Sequence, residues 1–363
     1  MRTRKFGLTA LLTTVLGVGS ALAEQPQQEP EEKSAVVHIE KPTEGKDYET
    51  VILDSDCDSK SLEGLLKKGE DDPIKKGAYE IKISRKPFMI YNFRAKEEEG
   101  KIALRTSSWG SGHVLNADGF FLTNYHVVMN CINNGDNVLE TPLVVDFQTG
   151  LAEQAKILAY NPGFDLALGK IEIPPGKRQL YQDIPIKKHC LGESATVISL
   201  TFDDPKYMEK VILRKVALSV RAELDEKENI KFVQHGEVED ENVSFDGIQG
   251  QIITYENLRT FLEQKGARLP ETRPSKEYFI TPFQLRMDNG EALANKISPG
   301  NSGSAVYDVR GELCGILGSA AMVEVTARDQ SGVEGKSLLY GCVNSKSIRS
   351  VIEDYIEAHN KKE

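Results

Sequence analysis

Positive charge is scarce in this chain of 363 residues: 45 Lys and Arg stand against 55 Asp and Glu, a formal net charge of −10. Such a chain lacks the electrostatic footprint that nucleic-acid binding needs, and anionic lipid attracts it little. Cysteine is sparse as well. The five, Cys57, Cys131, Cys190, Cys314 and Cys342, include no CxxC spacing, which argues against a zinc framework. No metal and no cofactor is expected. Histidine occurs six times and tryptophan once, so a site that needs an imidazole has few to draw on. Beyond the first 23 residues no apolar run approaches the roughly 20 residues that cross a bilayer. The chain also lacks a βαβ rhythm and internal repeats, which argues against a parallel α/β architecture.

What is present begins with a targeting pattern. Arg2, Arg4 and Lys5 precede the apolar stretch FGLTALLTTVLGVG and then ALA. This order of basic, apolar and small residues predicts a signal peptide over residues 1–23, cleaved after Ala23, and hence a periplasmic or extracellular protein with no membrane contact after cleavage. Its removal takes away three positive charges and leaves a mature chain of about −13. Export permits disulfides, and an odd cysteine count leaves at least one thiol unpaired within the chain. The connectivity stays open.

Residues 24–78 read as an acidic leader and N-terminal extension. The part up to about residue 48 is too rich in Glu, Gln, Pro and Lys to offset its ordering entropy. From residue 79 onward short apolar runs (GHVL, FFLTNYHVV, TPLVVDF, AKILAY, LALGKI, SATVISL) alternate with Gly, Asn, Asp and Pro. That texture predicts an antiparallel all-β domain, barrel or sandwich, over 79–363. Helical spacing of apolar residues predicts helices in SKSIRSVIEDYIEAHN and in YENLRTFLEQKG. The second lies in a charged stretch, about 222–277, expected to be an insertion between strands.

The run SPGNSGSAV, residues 298–306, raises the question of a nucleophile. A serine hydroxyl attacks a carbonyl only when a base takes its proton and a carboxylate orients that base, with backbone N–H groups ready for the oxyanion. Gly300 and Gly303 flank Asn301 and Ser302, and glycine lets a backbone approach a ligand closely. The Gly300 and Ser302 amides are therefore candidates for one anion-binding concavity, with Ser302 as nucleophile and Ser304 as a structural residue. Among the histidines, His126 follows a strand, an Asp118–Gly119 turn and a second strand, so a tight hairpin delivers its ring. His113 sits inside a strand-like run. For the carboxylate, Asp165 follows an Asn-Pro-Gly turn and opens an alternating apolar run, while Asp146 in VVDF competes.

Three blocks, GSGHVLNADGFFLTNYHVV, GFDLALGKI and SPGNSGSAVYDVRGELCGI, resemble in order the His, Asp and Ser blocks of the chymotrypsin-like (trypsin-like) serine endopeptidases. They are most similar to the bacterial HtrA-type and glutamyl-endopeptidase-type branches. The resemblance covers roughly residues 85–358. It implies two six-stranded antiparallel β-barrels with a C-terminal helix, and protein or peptide substrates cleaved through an acyl-enzyme. The implied roles are His126 as general base and acid, Asp165 as its orienter, Ser302 as nucleophile, and the Gly300 and Ser302 amides as oxyanion hole. It also implies a substrate pocket walled by Leu317, Gly318 and Ser319, with Lys296 near its base.

The sequence departs from that pattern in several places. Asp165 and Ser302 are 137 residues apart, a surplus that the 222–277 insertion would absorb. Asn301 carries no charge, so it cannot pair with a newly cut N-terminal amine. Leu317 stands where the glutamyl-specific branch has histidine. No PDZ module is expected after the terminal helix. The alternative reading is a catalytically inactive binding protein on the same scaffold. An α/β-hydrolase is disfavoured because GNSGS breaks the GxSxG elbow and the order of the three residues is reversed.

Overall fold

The computed structural model describes residues 49–69, 87–98, 101–132, 140–190, 194–202, 212–224, 230–238, 243–254, 257, 260, 277–280, 284–285, 300–318, 323–328 and 334–362. The signal peptide and leader at 1–48, and all but a few residues of the helix expected over 255–266, lie outside them.

Eight strands in the first half form one antiparallel sheet: β1 (Val51–Ile52), β2 (Phe88–Glu98), β3 (Lys101–Val114), β4 (Phe120–Thr123), β5 (Glu140–Asp146), β6 (Leu151–Gln154), β7 (Lys156–Asn161) and β8 (Leu166–Lys170). Their hydrogen-bonded order is β1-β7-β8-β4-β3-β2-β5-β6. The sheet curls on itself, because strands far apart in that order share a core: Phe88 and Ile90 of β2, Phe121 of β4, Val144 of β5, Ile157 of β7 and Ala167 of β8 belong to one buried cluster. Local chemistry fixes the β3–β4 turn. Asn116 Oδ1 accepts from the Asp118 and Phe120 amides, and Gly119 adopts a positive φ of 85° that the reversal requires. Two helices belong to this half, α1 (Lys60–Lys68) and α2 (Tyr125–Ile132).

The second half contains β9 (Ser194–Phe202), α3 (Leu213–Ser219), β10 (Val220–Leu224), β11 (Ile230–Gln234), β12 (Val243–Ile253), β13 (Glu277–Ile280), β14 (Gln284–Leu285), β15 (Ala305–Asp308), β16 (Leu313–Leu317), β17 (Val323–Arg328), β18 (Glu334–Asn344) and α4 (Ser345–Asn360). Six of these strands close a ring in the order β13-β12-β9-β15-β16-β18, with β13 pairing back onto β18. Closure removes the exposed sheet edges that invite aggregation. The molecule is thus the double antiparallel barrel with a C-terminal helix that the sequence implied. Only the second half shows a plain six-stranded ring; the first carries extra strands, including the added edge strand β1.

Helix α4 spans the segment expected from its periodicity. The Asn344 side chain caps it by accepting from the Ser347 amide at 2.8 Å. Ile348, Val351, Ile352 and Tyr355 form its buried face. That face packs into a core shared with Leu62, Leu65 and Leu66 of α1, Leu122 of β4 and Leu168 of β8. The N-terminal segment is therefore built into the barrel core. Its backbone is also tied down: Tyr355 Oη donates to the Cys57 carbonyl, and Arg349 donates to the Leu66 and Ile186 carbonyls, both at 2.9 Å.

Two features of the stretch expected as an insertion differ from that expectation. Strand β12 is a full barrel member, paired along its length with β9. The preceding α3 and the β10–β11 hairpin dock on the first barrel, where Ile212, Val216, Val220, Ala222 and Phe232 join Met89, Tyr91, Leu143 and Ala152 in one buried cluster. Gln234 and Gln154 side chains complete the seam by accepting from the Ala152 and Phe232 amides. The segment leaves one barrel to cover the other.

Glu153 of β6 lies at this seam. Burial, with the neighbouring Glu172 carboxylate, pushes its pKa up to about 7, against the opposing pull of the Gln154 amide and Lys231. A raised folded-state value stabilises the fold fully below the ordinary carboxylate range, and that contribution is lost as pH rises through 7. Glu153→Gln is expected to flatten the fall in melting temperature between pH 4.5 and 7.5 relative to the unsubstituted protein. Identical melting profiles for the two would contradict this.

The described cysteines form one disulfide, Cys190–Cys314, which ties the segment before β9 to β16 with a Cα–Cα distance of 5.6 Å. Cys57, Cys131 and Cys342 are not in disulfides. Burial pushes the Cys131 thiol well above its ordinary range, so it is a poor nucleophile.

Candidate active site

Strand β4 ends at Thr123 and α2 begins two residues later, so His126 sits in the first turn of a helix whose Val127 and Val128 are buried. Asp165 reaches it from the turn before β8. That turn is held by the Phe164 amide on Asn161 Oδ1 at 3.0 Å and by the Asp165 amide on the Pro162 carbonyl at 3.2 Å. Asp165 is the one described non-glycine residue at positive φ, 53°. A left-handed conformation costs an L-residue free energy, and such outliers gather at functional sites. Asn124 Nδ2 donates to the Asp165 carbonyl at 2.9 Å and so fixes the unusual backbone.

The Asp165 carboxylate grips its neighbour at two levels. Oδ1 accepts from the His126 amide at 3.0 Å, and His126 Nδ1 lies 2.9 Å from Oδ2 and 3.0 Å from Oδ1. A carboxylate against Nδ1 selects the tautomer with the proton on that nitrogen and leaves Nε2 as an acceptor. It also stabilises the ring once Nε2 is protonated. The two side chains are 33% and 23% exposed, so a ligand can reach the pair.

The serine loop comes from the other barrel. Gly300 and Gly303 adopt positive φ values of 103° and 95°. A Cβ at Gly300 would overlap the Trp109 ring, and one at Gly303 would strike the Ser111 carbonyl. Buried Asn301 accepts from the Leu200 amide through Oδ1 at 3.2 Å. The edge of β16 pins the far side, with Gly303 N on the Leu317 carbonyl at 2.9 Å and Leu317 N on the Ser304 carbonyl at 2.8 Å. One residue on, a Cβ at Gly318 would sit 4.0 Å from Asp165 Oδ2. The end of β16 thus holds the serine loop of one barrel and lies near the carboxylate of the other.

Among the described residues, the Gly300 and Ser302 amides have no acceptor, and neither Ser302 Oγ nor His126 Nε2 has a hydrogen-bond partner. Hydroxyl and imidazole are not hydrogen-bonded to each other; catalytic hydrogen bonds are often long until substrate tightens them.

The competing residues have other partners. Asp146 accepts from Tyr181 Oη at 2.6 Å and from Thr149 Oγ1 at 2.9 Å, a buried turn-closing group. His113 is fully buried and hydrogen-bonded to Tyr307 Oη between the barrels. His189 and His235 are exposed. The Leu317 side chain, expected in the pocket wall, is 2% exposed and packs with Val197, Val306 and Cys342 inside the second barrel. Lys296 and Ser319 lie outside the described residues.

A family model, the trypsin-like peptidase domain, matches residues 110–316, more than half of the chain. The chain belongs to the trypsin-like peptidase family. Membership makes it a peptidase hydrolase with protein or peptide substrates. No curated protein matches the chain in sequence. Among solved structures it is similar to the serine endoprotease from Yersinia pestis, at 16% identity and a TM-score of 0.37, over 79% of this chain and 68% of that one. In this peptidase the sequence pointed to His126, Asp165 and Ser302. Missing from that reading were Asn124, which holds the Asp165 backbone, and Trp109 and Ser111, which touch the serine loop. Ser111 lies within the block GSGHVLNADGFFLTNYHVV and Trp109 just before it, but nothing in the composition marks which side chains face the loop.

Proposed function

We propose that the protein is an exported serine endopeptidase that cleaves peptide bonds through an acyl-enzyme on Ser302. The observation that carries this reading is the two-level grip of Asp165 on His126, which fixes tautomer and orientation as a general base requires. In acylation, His126 Nε2 takes the Ser302 hydroxyl proton as Oγ attacks the substrate carbonyl. The Gly300 and Ser302 amides stabilise the resulting oxyanion. The proton then passes from Nε2 to the departing amine, and the C–N bond breaks. In deacylation the same nitrogen deprotonates a water that attacks the ester, and Ser302 regains its proton as the acid product leaves. No step calls for a metal or cofactor.

Export is supported by the basic, apolar and small-residue order of residues 1–23 and by the Cys190–Cys314 disulfide, a bond that persists in oxidising compartments. Activation does not use a new N-terminal amine at Asn301, because Asn301 is uncharged and its Oδ1 already accepts from Leu200. The test is casein hydrolysis by the purified chain from residue 24 onward, disulfide intact, with and without EDTA. Cleavage at undiminished rate in EDTA is expected. Failure to cleave casein or a broad peptide library would favour the inactive scaffold.

A further inference from the structure

We infer that Ser111 is a positioning residue that holds the oxyanion loop in its donor-presenting conformation; this rests on the reading of Ser302 as nucleophile. Ser111 lies on β3 of the first barrel and is fully buried. It touches the loop of the second barrel at three consecutive functions. Its hydroxyl donates to the Gly300 carbonyl at 2.7 Å. Its amide donates to the Ser302 carbonyl at 2.7 Å. Its own carbonyl, which also accepts from Thr123 Oγ1 at 2.7 Å, fills the space where Gly303 would otherwise carry a side chain.

These contacts bracket the peptide that matters. The Ser302 N–H belongs to the Asn301–Ser302 peptide. The peptides on either side expose the Gly300 and Ser302 carbonyls, and Ser111 fixes both. Without its hydroxyl, the Gly300 carbonyl loses its described partner beside a glycine whose positive φ places few barriers against rotation of the following peptide. A turn there would release the Gly300 carbonyl and tilt the adjoining Asn301–Ser302 peptide, swinging the Ser302 N–H away from the developing oxyanion. The Trp109 ring over Gly300 limits this rotation by bulk, but among the described residues only Ser111 supplies a directional bond to the Gly300 carbonyl. The Ser111 hydroxyl has one proton, and the 2.7 Å carbonyl bond is far better placed to use it than Met89 Sδ at 3.9 Å.

The consequence is specific to the transition state. The backbone bond from Ser111 survives substitution, so the loop stays attached, but its donors are less well aimed. Ser111→Ala is expected to lower kcat by about 10- to 100-fold with KM within about twofold, since oxyanion stabilisation is lost and ground-state binding is not. Affinity for a peptide boronic acid, whose tetrahedral oxygen occupies the same donors, should fall by a similar factor. Peptide binding to Ser302→Ala should not change when Ser111→Ala is added. Ser111→Cys, close in size and a weak donor, is the second variant; the same loss of kcat at an unchanged melting temperature carries the same meaning should the alanine variant fold poorly. Wild-type kcat in either folded variant overturns the inference while leaving Ser302 as nucleophile. An unsubstituted protein that a fluorophosphonate does not label overturns both.

Discussion

Replacing Ser302 with alanine is expected to reduce peptide hydrolysis by about a millionfold, the full loss of a nucleophile that works as a unit with its base. The size follows from the division of labour in the site. Without Oγ no acyl-enzyme forms, and what remains is whatever the donor amides and substrate binding give to direct attack by water, on the order of a thousandfold. His126→Ala should cost nearly as much, because an un-ionised hydroxyl is a poor nucleophile at neutral pH. The double substitution should be scarcely worse than either alone. That non-additivity distinguishes one catalytic unit from two independent contributors. Stability should hardly move: Ser302 Oγ has no partner among the described residues, and the loop is held by Ser111, Leu317 and Asn301 instead. Steady-state rates on one peptide substrate, with a thermal melt of each variant, make the comparison. Two single losses that multiply in the double variant would contradict a shared mechanism.

Deleting residues 49–69 is expected to abolish folding, although the segment precedes the barrels. Leu62 and Leu65 of α1 are fully buried and Leu66 nearly so, in the same cluster as Phe120, Leu122, Ile316 and Tyr355. Truncating a buried leucine to alanine typically costs about 2–5 kcal/mol. Three such losses reach the whole stability of an ordinary domain, about 5–15 kcal/mol. The deletion also strips the Arg349 guanidinium of the Leu66 carbonyl and Tyr355 Oη of the Cys57 carbonyl, and unpaired buried donors add to the penalty. Leu65→Ala alone should lower the midpoint of denaturant unfolding markedly, while Lys67→Ala on the exposed face should not. A soluble, cooperatively melting protein lacking 49–69 would show that the segment is an appendage.

The same contrast explains what the sequence disclosed and what it hid. Helix α4 was legible because sixteen residues with a polar N-cap and four inward apolar positions leave little freedom. Helix α1 was not: in KSLEGLLKK three leucines are outnumbered by charges and interrupted by Gly64, and a tertiary core shared with α4 and the barrel strands gives them a place to bury. His126 and Asp165 could be singled out because rigid turns deliver them, and the turns have local signatures in Asp118–Gly119 and Asn161–Pro162–Gly163. Strand β12 was misplaced in the insertion since its alternating polar residues pair with β9 nearly fifty positions earlier, a contact no local pattern encodes. The docking of α3 and the β10–β11 hairpin on the first barrel is equally non-local. Only the family resemblance puts Leu317 in a pocket wall, and strand alternation turns its side chain into the barrel. Ser111 and Trp109 escaped because their roles depend on Gly300, 189 and 191 positions further along, and a polar or aromatic residue in a strand carries no mark of its cross-barrel partner.

The proposed mechanism requires that Ser302, alone among the serines, be activated by its setting. Treatment of the purified protein with a fluorophosphonate, followed by digestion and mass spectrometry, tests this most directly. A single adduct is expected on the peptide containing Ser302, formed at stoichiometry near one and absent from His126→Ala. An adduct on another serine, or none on a protein shown to be folded and disulfide-bonded, would contradict it.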